Sequence, residues 1–153
     1  MVRRHLIRLA AIGMFTATAR AQSTTPGGMP PPTGMSLAQS AAMRFPQPVR
    51  AGDLLHRDVL RPVESQEVLG HVRAVVRDSS GNILVVIGFG GFLGFGSRPI
   101  AVPIDAMVLL GKDMEVVAYT PQQLRQFPTF SPVGTSPVPD DAMIKVGLAK
   151  PSH

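Results

Sequence analysis

In VLGHVRAVVRD, residues 68 to 78, the apolar side chains Val72, Ala74 and Val76 alternate with His71, Arg73 and Arg77. A period of two places the two sets on opposite faces of a strand, one dry and one wet. The following DSSGN, Asp78 to Asn82, supplies turn formers with Gly81 available for positive φ, and ILVVIGF then reads as a more fully buried strand. Together they predict a β-hairpin. Past a glycine stretch, RPIAVPI sets Ile100, Val102 and Ile104 on one face, and MVLL and MEVVAY flank the turn at Gly111 to Asp113. Pro99 and Pro103 assign the strand they frame to an edge or a barrel corner, because proline has no N–H to give a ladder. One helix is predicted, in TPQQLRQF: Thr120 is a good N-cap, Pro121 suits the first helical position and Pro128 stops the run. Strand after strand separated by tight turns, with a single short C-terminal helix, predicts an all-β domain, a small antiparallel barrel over residues 48–130.

The flanks read differently. At the N-terminus Arg3 and Arg4 precede a largely apolar Leu6 to Ala17, interrupted by Arg8, and Ala19-Arg20-Ala21 has the form of a cleavage site. This predicts a signal peptide over residues 1–21, removed to leave Gln22 first and no retained transmembrane helix, since the apolar run is shorter than the roughly 20 residues that span a bilayer. RRHLI loosely matches a twin-arginine pattern, and the general secretory route is equally compatible. Four of the 15 basic residues and none of the 10 acidic ones lie in this segment, which leaves 11 bases against 10 acids in the remainder. The net charge of +5 therefore belongs mostly to the signal, and nucleic-acid binding, which needs clustered Lys and Arg, loses its support. There is no cysteine, so neither disulfides nor thiolate metal sites are available. Residues 22–47, rich in Pro, Gly, Ser and Thr, predict a disordered linker, and 131–153, with prolines at 132, 137, 139 and 151, a disordered tail in which AMIKVGL could still pair as a short edge strand. A fragment from about Pro48 to Phe130 is accordingly expected to fold alone.

The stretch GFGGFLGFGSRPIAVP, Gly88 to Pro103, invites a test as a phosphate loop. Gly91 and Gly96 have the Walker glycine spacing, but Ser97 and Arg98 follow in place of Lys and Ser or Thr. The dinucleotide pattern fails too, with Leu93 after Gly88 and Gly90 and Pro99 after Gly94 and Gly96. Both motifs need a helix next, whereas a proline-framed strand pattern follows here. Gly88, Gly90, Gly91, Gly94 and Gly96 instead read as a structural turn between two strands, where positive φ and close backbone approach favour glycine. Phe89, Phe92 and Phe95 then either cover the end of the core or project as an apolar patch, and with Arg98 they are the candidate partner-binding residues.

RAGDLLHRDVLRPVESQEVLGHVRAVVRD, the hairpin, the glycine stretch leading into AVP, and TPQQLRQFPTF, in that order, resemble the PRC-barrel family, more closely its exported bacterial members. The family includes the module found in the photosynthetic reaction-centre H subunit and in the ribosome-maturation factor RimM. The resemblance covers about Val49 to Phe130 and implies a PRC-type β-barrel acting as an adaptor, with no common enzyme activity and no cofactor. Two positions depart from the family pattern: Ala74 stands where an acidic residue is frequent, and Glu64 to Glu67 (ESQE) where a glycine-bearing turn is frequent.

No arrangement for catalysis stands out. His56 and His71 fall in no metal-binding spacing, and Asp53, His56 and Asp58 read as makers of local turn hydrogen bonds. No serine lies in G-x-S-x-G, and Asp140 and Asp141 fall in the expected tail. The expected function is a non-catalytic periplasmic or secreted module that binds an envelope protein, or a second copy of itself, through an edge strand or the Gly/Phe loop. The alternative is a small-molecule or polysaccharide-binding envelope domain, for which a chain with no Trp and one tyrosine, Tyr119, is poorly equipped.

Overall fold

A computed structural model describes residues 36–61, 67–91 and 95–149. The expected signal peptide and most of the expected linker lie outside the described residues. The chain runs from helix α1 (Leu37–Ala42) through strands β1 (Gln47–Arg50), β2 (Asp58–Leu60), β3 (Val68–Asp78), β4 (Ile83–Phe89), β5 (Arg98–Pro103), β6 (Met107–Leu110) and β7 (Asp113–Val116). Helix α2 (Pro121–Gln126), β8 (Thr135–Pro137) and β9 (Met143–Leu148) follow, with 3₁₀ turns at Ala51–Leu54 and Ile104–Ala106.

The predicted hairpin is β3–β4. Its turn is held by Asp78, whose Oδ1 accepts the N–H groups of Ser80 and Asn82 at 2.9 and 2.8 Å and whose Oδ2 accepts Asn82 Nδ2–H at 2.9 Å. The Asn82 side chain foremost among these bonds holds the Asp78 carboxyl below its ordinary range. Helix α2 forms as its caps dictate: Thr120 Oγ1 accepts Gln123 N–H, the Gln123 side chain accepts Thr120 N–H, and Leu124 is fully buried.

All-β architecture holds, with two corrections to a closed antiparallel barrel. Among the described strands the sheet follows β1-β9-β6-β7-β2-β3-β4-β5, with β8 beside β3, and it does not close. Its terminal strands carry Pro48 in β1 and Pro99 and Pro103 in β5, which remove the donors a closing ladder would use. It is also mixed, because β2 pairs β7 and β6 pairs β9 in parallel. One core cluster nevertheless takes side chains from β2 through β7 and from β9, among them Val59, Val72, Val85, Ile100, Met107, Met114 and Val146, so the sheet curls around a single core.

The flanks are also corrected. Ser36 caps α1 through a capping box with Gln39, so a second short helix precedes the sheet. Residues 131–149 are not a disordered tail: β8 pairs β3, β9 inserts between β1 and β6, and Val138, Ile144 and Val146 join the core. The prolines at 137 and 139 fall at the end of β8 and beyond it, leaving MIKVGL unbroken to alternate Ile144 and Val146 inward against Met143 and Lys145 outward.

The simple alternation read along β3 breaks at Arg73. Val72 opposes Ile87 and Ala74 opposes Val86, so Arg73 is an extra residue, a bulge that reverses the phase of the strand. Val72 and Val75 consequently both face the core, while Val76 is buried outside the core cluster. A second register shift leaves Leu69 unmatched between Val59↔Gly70 and Leu60↔Val68.

Candidate functional site

The two bulges of β3 lie beside the glycine stretch, and the close packing there explains the glycines one by one. A Cβ on Gly70 would stand 1.9 Å from the carbonyl oxygen of Gly88, so β3 and β4 approach more closely than any side chain allows. Gly88 lies within β4 and opposes His71; a Cβ there would meet Arg73 Nε at 2.5 Å, so the bare backbone is what the arginine side chain lies against. The chain then leaves β4 with Gly90 N–H donating to Leu69 C=O at 2.9 Å, and Gly90, Gly91 and Gly96 take φ of +73°, +89° and +74°. Those three glycines take the left-handed conformation that favours glycine, on either side of residues 92–94, which lie outside the described residues. Gly88 contributes space rather than a turn, and Gly94 lies outside the described residues.

The aromatic residues divide. Phe89 is half-buried and packs on the core cluster, whereas Phe95 is 82% exposed. Phe92 lies outside the described residues. Arg98 serves the fold: it donates to the C=O of Arg125 at 3.0 Å and to the C=O of Phe127, taking up carbonyls at the end of α2 that have no helical donor.

Beneath the exposed Phe95 turn is a groove of about 370 Å³ whose lining includes His71, Arg73, Gly88, Gly90, Gly91 and Ser97. Arg73 Nη2 donates to Ser97 Oγ, which ties the far arm of the loop to β3. His71 and Asp58 are direct partners in the β2–β3 register, and His71 Nδ1 is 2.6 Å from Asp58 Oδ1. An ionised carboxylate only accepts, so Nδ1 carries the proton of this bond and fixes the ring.

The local turn hydrogen bonds expected around Asp53, His56 and Asp58 form only in part. Arg57 Nε does donate to Asp53 C=O at 2.7 Å, but the Asp58 carboxylate serves β3 instead, and His56 is exposed in a turn with φ of +65°. Asp140 and Asp141 are exposed in the turn before β9, where the Asp140 carbonyl accepts Gly52 N–H at 2.9 Å. Tyr119 is buried edge-to-face against Phe127, ring centres 5.0 Å apart at 75°, and burial pushes its phenol above the ordinary range. The wet face of β3 was legible as His71 and Arg73. Their partners Asp58 and Ser97 were not, since register and a bulge bring them together.

Among the described residues no helix is long and apolar enough to cross a membrane, and no group of three metal-ligating side chains gathers. No family model matches the chain, and neither the curated proteins nor the solved structures contain a match to it.

Proposed function

We propose that this chain is a non-catalytic interaction module of the cell envelope, a PRC-type barrel that docks a protein partner or a second copy of itself through the Gly/Phe turn. The observation that carries this reading is Phe95: a large apolar side chain 82% exposed, on a turn anchored on both sides by Gly90 N–H to Leu69 C=O and by Arg73 to Ser97. A large apolar side chain already exposed to water gains by burial against a partner, which is what an anchor residue needs. The prolines of β1 and β5 weigh against docking by strand addition, so the turn is the preferred surface. The PRC-type reading rests on the resemblance carried by the order of motifs along residues 49–130. The envelope location rests on residues 1–21 being a cleaved signal, with Gln22 as the first residue of the working protein. Burial of Tyr119 takes the chain's one hydroxyl-bearing aromatic out of reach of a sugar, which weighs against the polysaccharide alternative.

The test is site-specific photocrosslinking in cells with the probe at position 95, compared with position 133, where Val133 is 87% exposed. One dominant adduct at 95 that is absent at 133, together with loss of that partner's co-purification from a chain carrying Phe95→Ser that melts like the parent, supports the reading. Equal, diffuse labelling at both positions overturns it, and intact mass on envelope fractions with residues 1–21 retained overturns the cleaved signal.

A further inference from the structure

We propose that the groove under the glycine turn is a carboxylate-binding site with Arg73 as its anchor, a claim that does not depend on the docking role of Phe95. Arg73 is exposed and has no carboxylate within ion-pairing distance among the described residues; the described ion pairs there are Arg61–Glu67, His71–Asp58 and Lys112–Asp113. Its one side-chain hydrogen bond among the described residues, to Ser97 Oγ, uses a single one of the five donors a guanidinium carries.

The side chain is nonetheless held in place. It lies across Gly88, where a Cβ would stand 2.5 Å from Nε and 2.9 Å from Cζ and Nη2, and Ser97 fixes one end of the fork. An arginine oriented by a glycine and a serine, with no acid paired to it among the described residues, presents a pre-set planar edge to the groove. Among the described residues the ionisable side chains that line the groove are His71 and Arg73, with no acid among them. Asp58 stands behind His71 and is bound to it, and Glu67, next to the lining residue Val68, reaches Arg61 at 3.2 Å.

The donor set selects the class of anion. One guanidinium edge matches the two coplanar oxygens of a carboxylate in bidentate fashion. A phosphate would want a ring of donors around a tetrahedral anion, and the nearby Gly90 N–H is already given to Leu69 C=O.

The experiment is a ¹⁵N–¹H titration of the arginine Nε–H signals of the full chain at low ionic strength, with sodium acetate in one arm and inorganic phosphate in the other. Arg73 Nε–H should shift saturably with acetate, with a midpoint on the order of 10 mM, and Arg73→Lys, which keeps the charge and loses the fork, should weaken by about tenfold the saturation read at His71. A linear, unsaturating acetate response of wild-type Arg73 overturns the proposal and leaves Arg73 a clamp for the glycine turn. Saturation by phosphate without saturation by acetate overturns the assignment to carboxylates. The wild-type titration decides on its own, so a variant that fails to fold cannot rescue the proposal.

Discussion

Gly91 and Gly96 share a sign of φ but not an environment, which makes the pair a direct test of how tightly the turn is packed. Gly96 has φ of +74° and nothing within 4 Å of where a Cβ would sit. Gly96→Ala therefore adds only the conformational cost of an L-residue in the left-handed region, about 1–2 kcal/mol. Gly91, at φ +89°, would place its Cβ 2.5 Å from the carbonyl oxygen of Phe95 and 2.8 Å from the nitrogen of Ser97. Both are backbone atoms and cannot swing aside, so Gly91→Ala adds an overpacking cost of about 1–3 kcal/mol to the same strain. The expected loss is then roughly 2–5 kcal/mol, a large part of the stability of a small domain. Urea unfolding of both variants and the parent, followed by far-ultraviolet circular dichroism and Tyr119 fluorescence, measures the difference. If Gly91→Ala and Gly96→Ala agree to within about 0.5 kcal/mol, the ordinary scatter of a surface substitution, the packed turn described here is wrong.

Three further outcomes are expected. Ending the chain at Phe130 removes Val138, Ile144 and Val146 from the core, about 1.5–3 kcal/mol each, so the fragment 48–130 should show no cooperative urea transition; a sharp transition would mean β8 and β9 are accessory. Arg98→Ala should cost about 1–3 kcal/mol by leaving the Arg125 and Phe127 carbonyls without their charged donor, and an unchanged unfolding midpoint would refute that role. Burial raises the folded-state pKa of Tyr119 above that of the unfolded chain. Its contribution is thus complete below about pH 10 and declines as pH rises beyond it, because the unfolded chain releases the phenolic proton first. As Tyr119 is the single tyrosine and there is no Trp, phenolate absorbance reports it alone; ionisation at the ordinary phenol value in the folded protein would contradict its burial.

Local signals carried the elements whose chemistry is local. The Asp78–Asn82 turn, the Thr120 cap and the Ile100, Val102, Ile104 face are all dictated by neighbours in sequence, and they form where the residues place them. Where distance decides, local signals do not suffice. Period two along VRAVV gives the wrong inward set, because the Arg73 bulge depends on how β4 pairs. AMIKVGL is legible as a possible short edge strand, but its insertion between β1 and β6 depends on distant partners that its own residues do not name. At the candidate site the glycines announced a turn, but Gly70 and Gly88 serve close approach between strands, and only the register reveals that Asp58 meets His71.

The position of β9 has a consequence for how the fold is reached. Its partners are β1, near the start of the described chain, and β6, so Gln47 must find Val146 and Val108 must find Gly147 before the sheet is continuous. Closing a loop of about 100 residues costs on the order of 4 kcal/mol in chain entropy before any contact repays it. Hairpins β3–β4 and β6–β7 close over short spans and can assemble early. Until residues 143–148 have been synthesised, however, β6 offers an unsatisfied edge, and β1 has no neighbour. Folding is therefore gated by β9, and the nascent chain is most exposed to mispairing in the interval before β9 slides between its two partners.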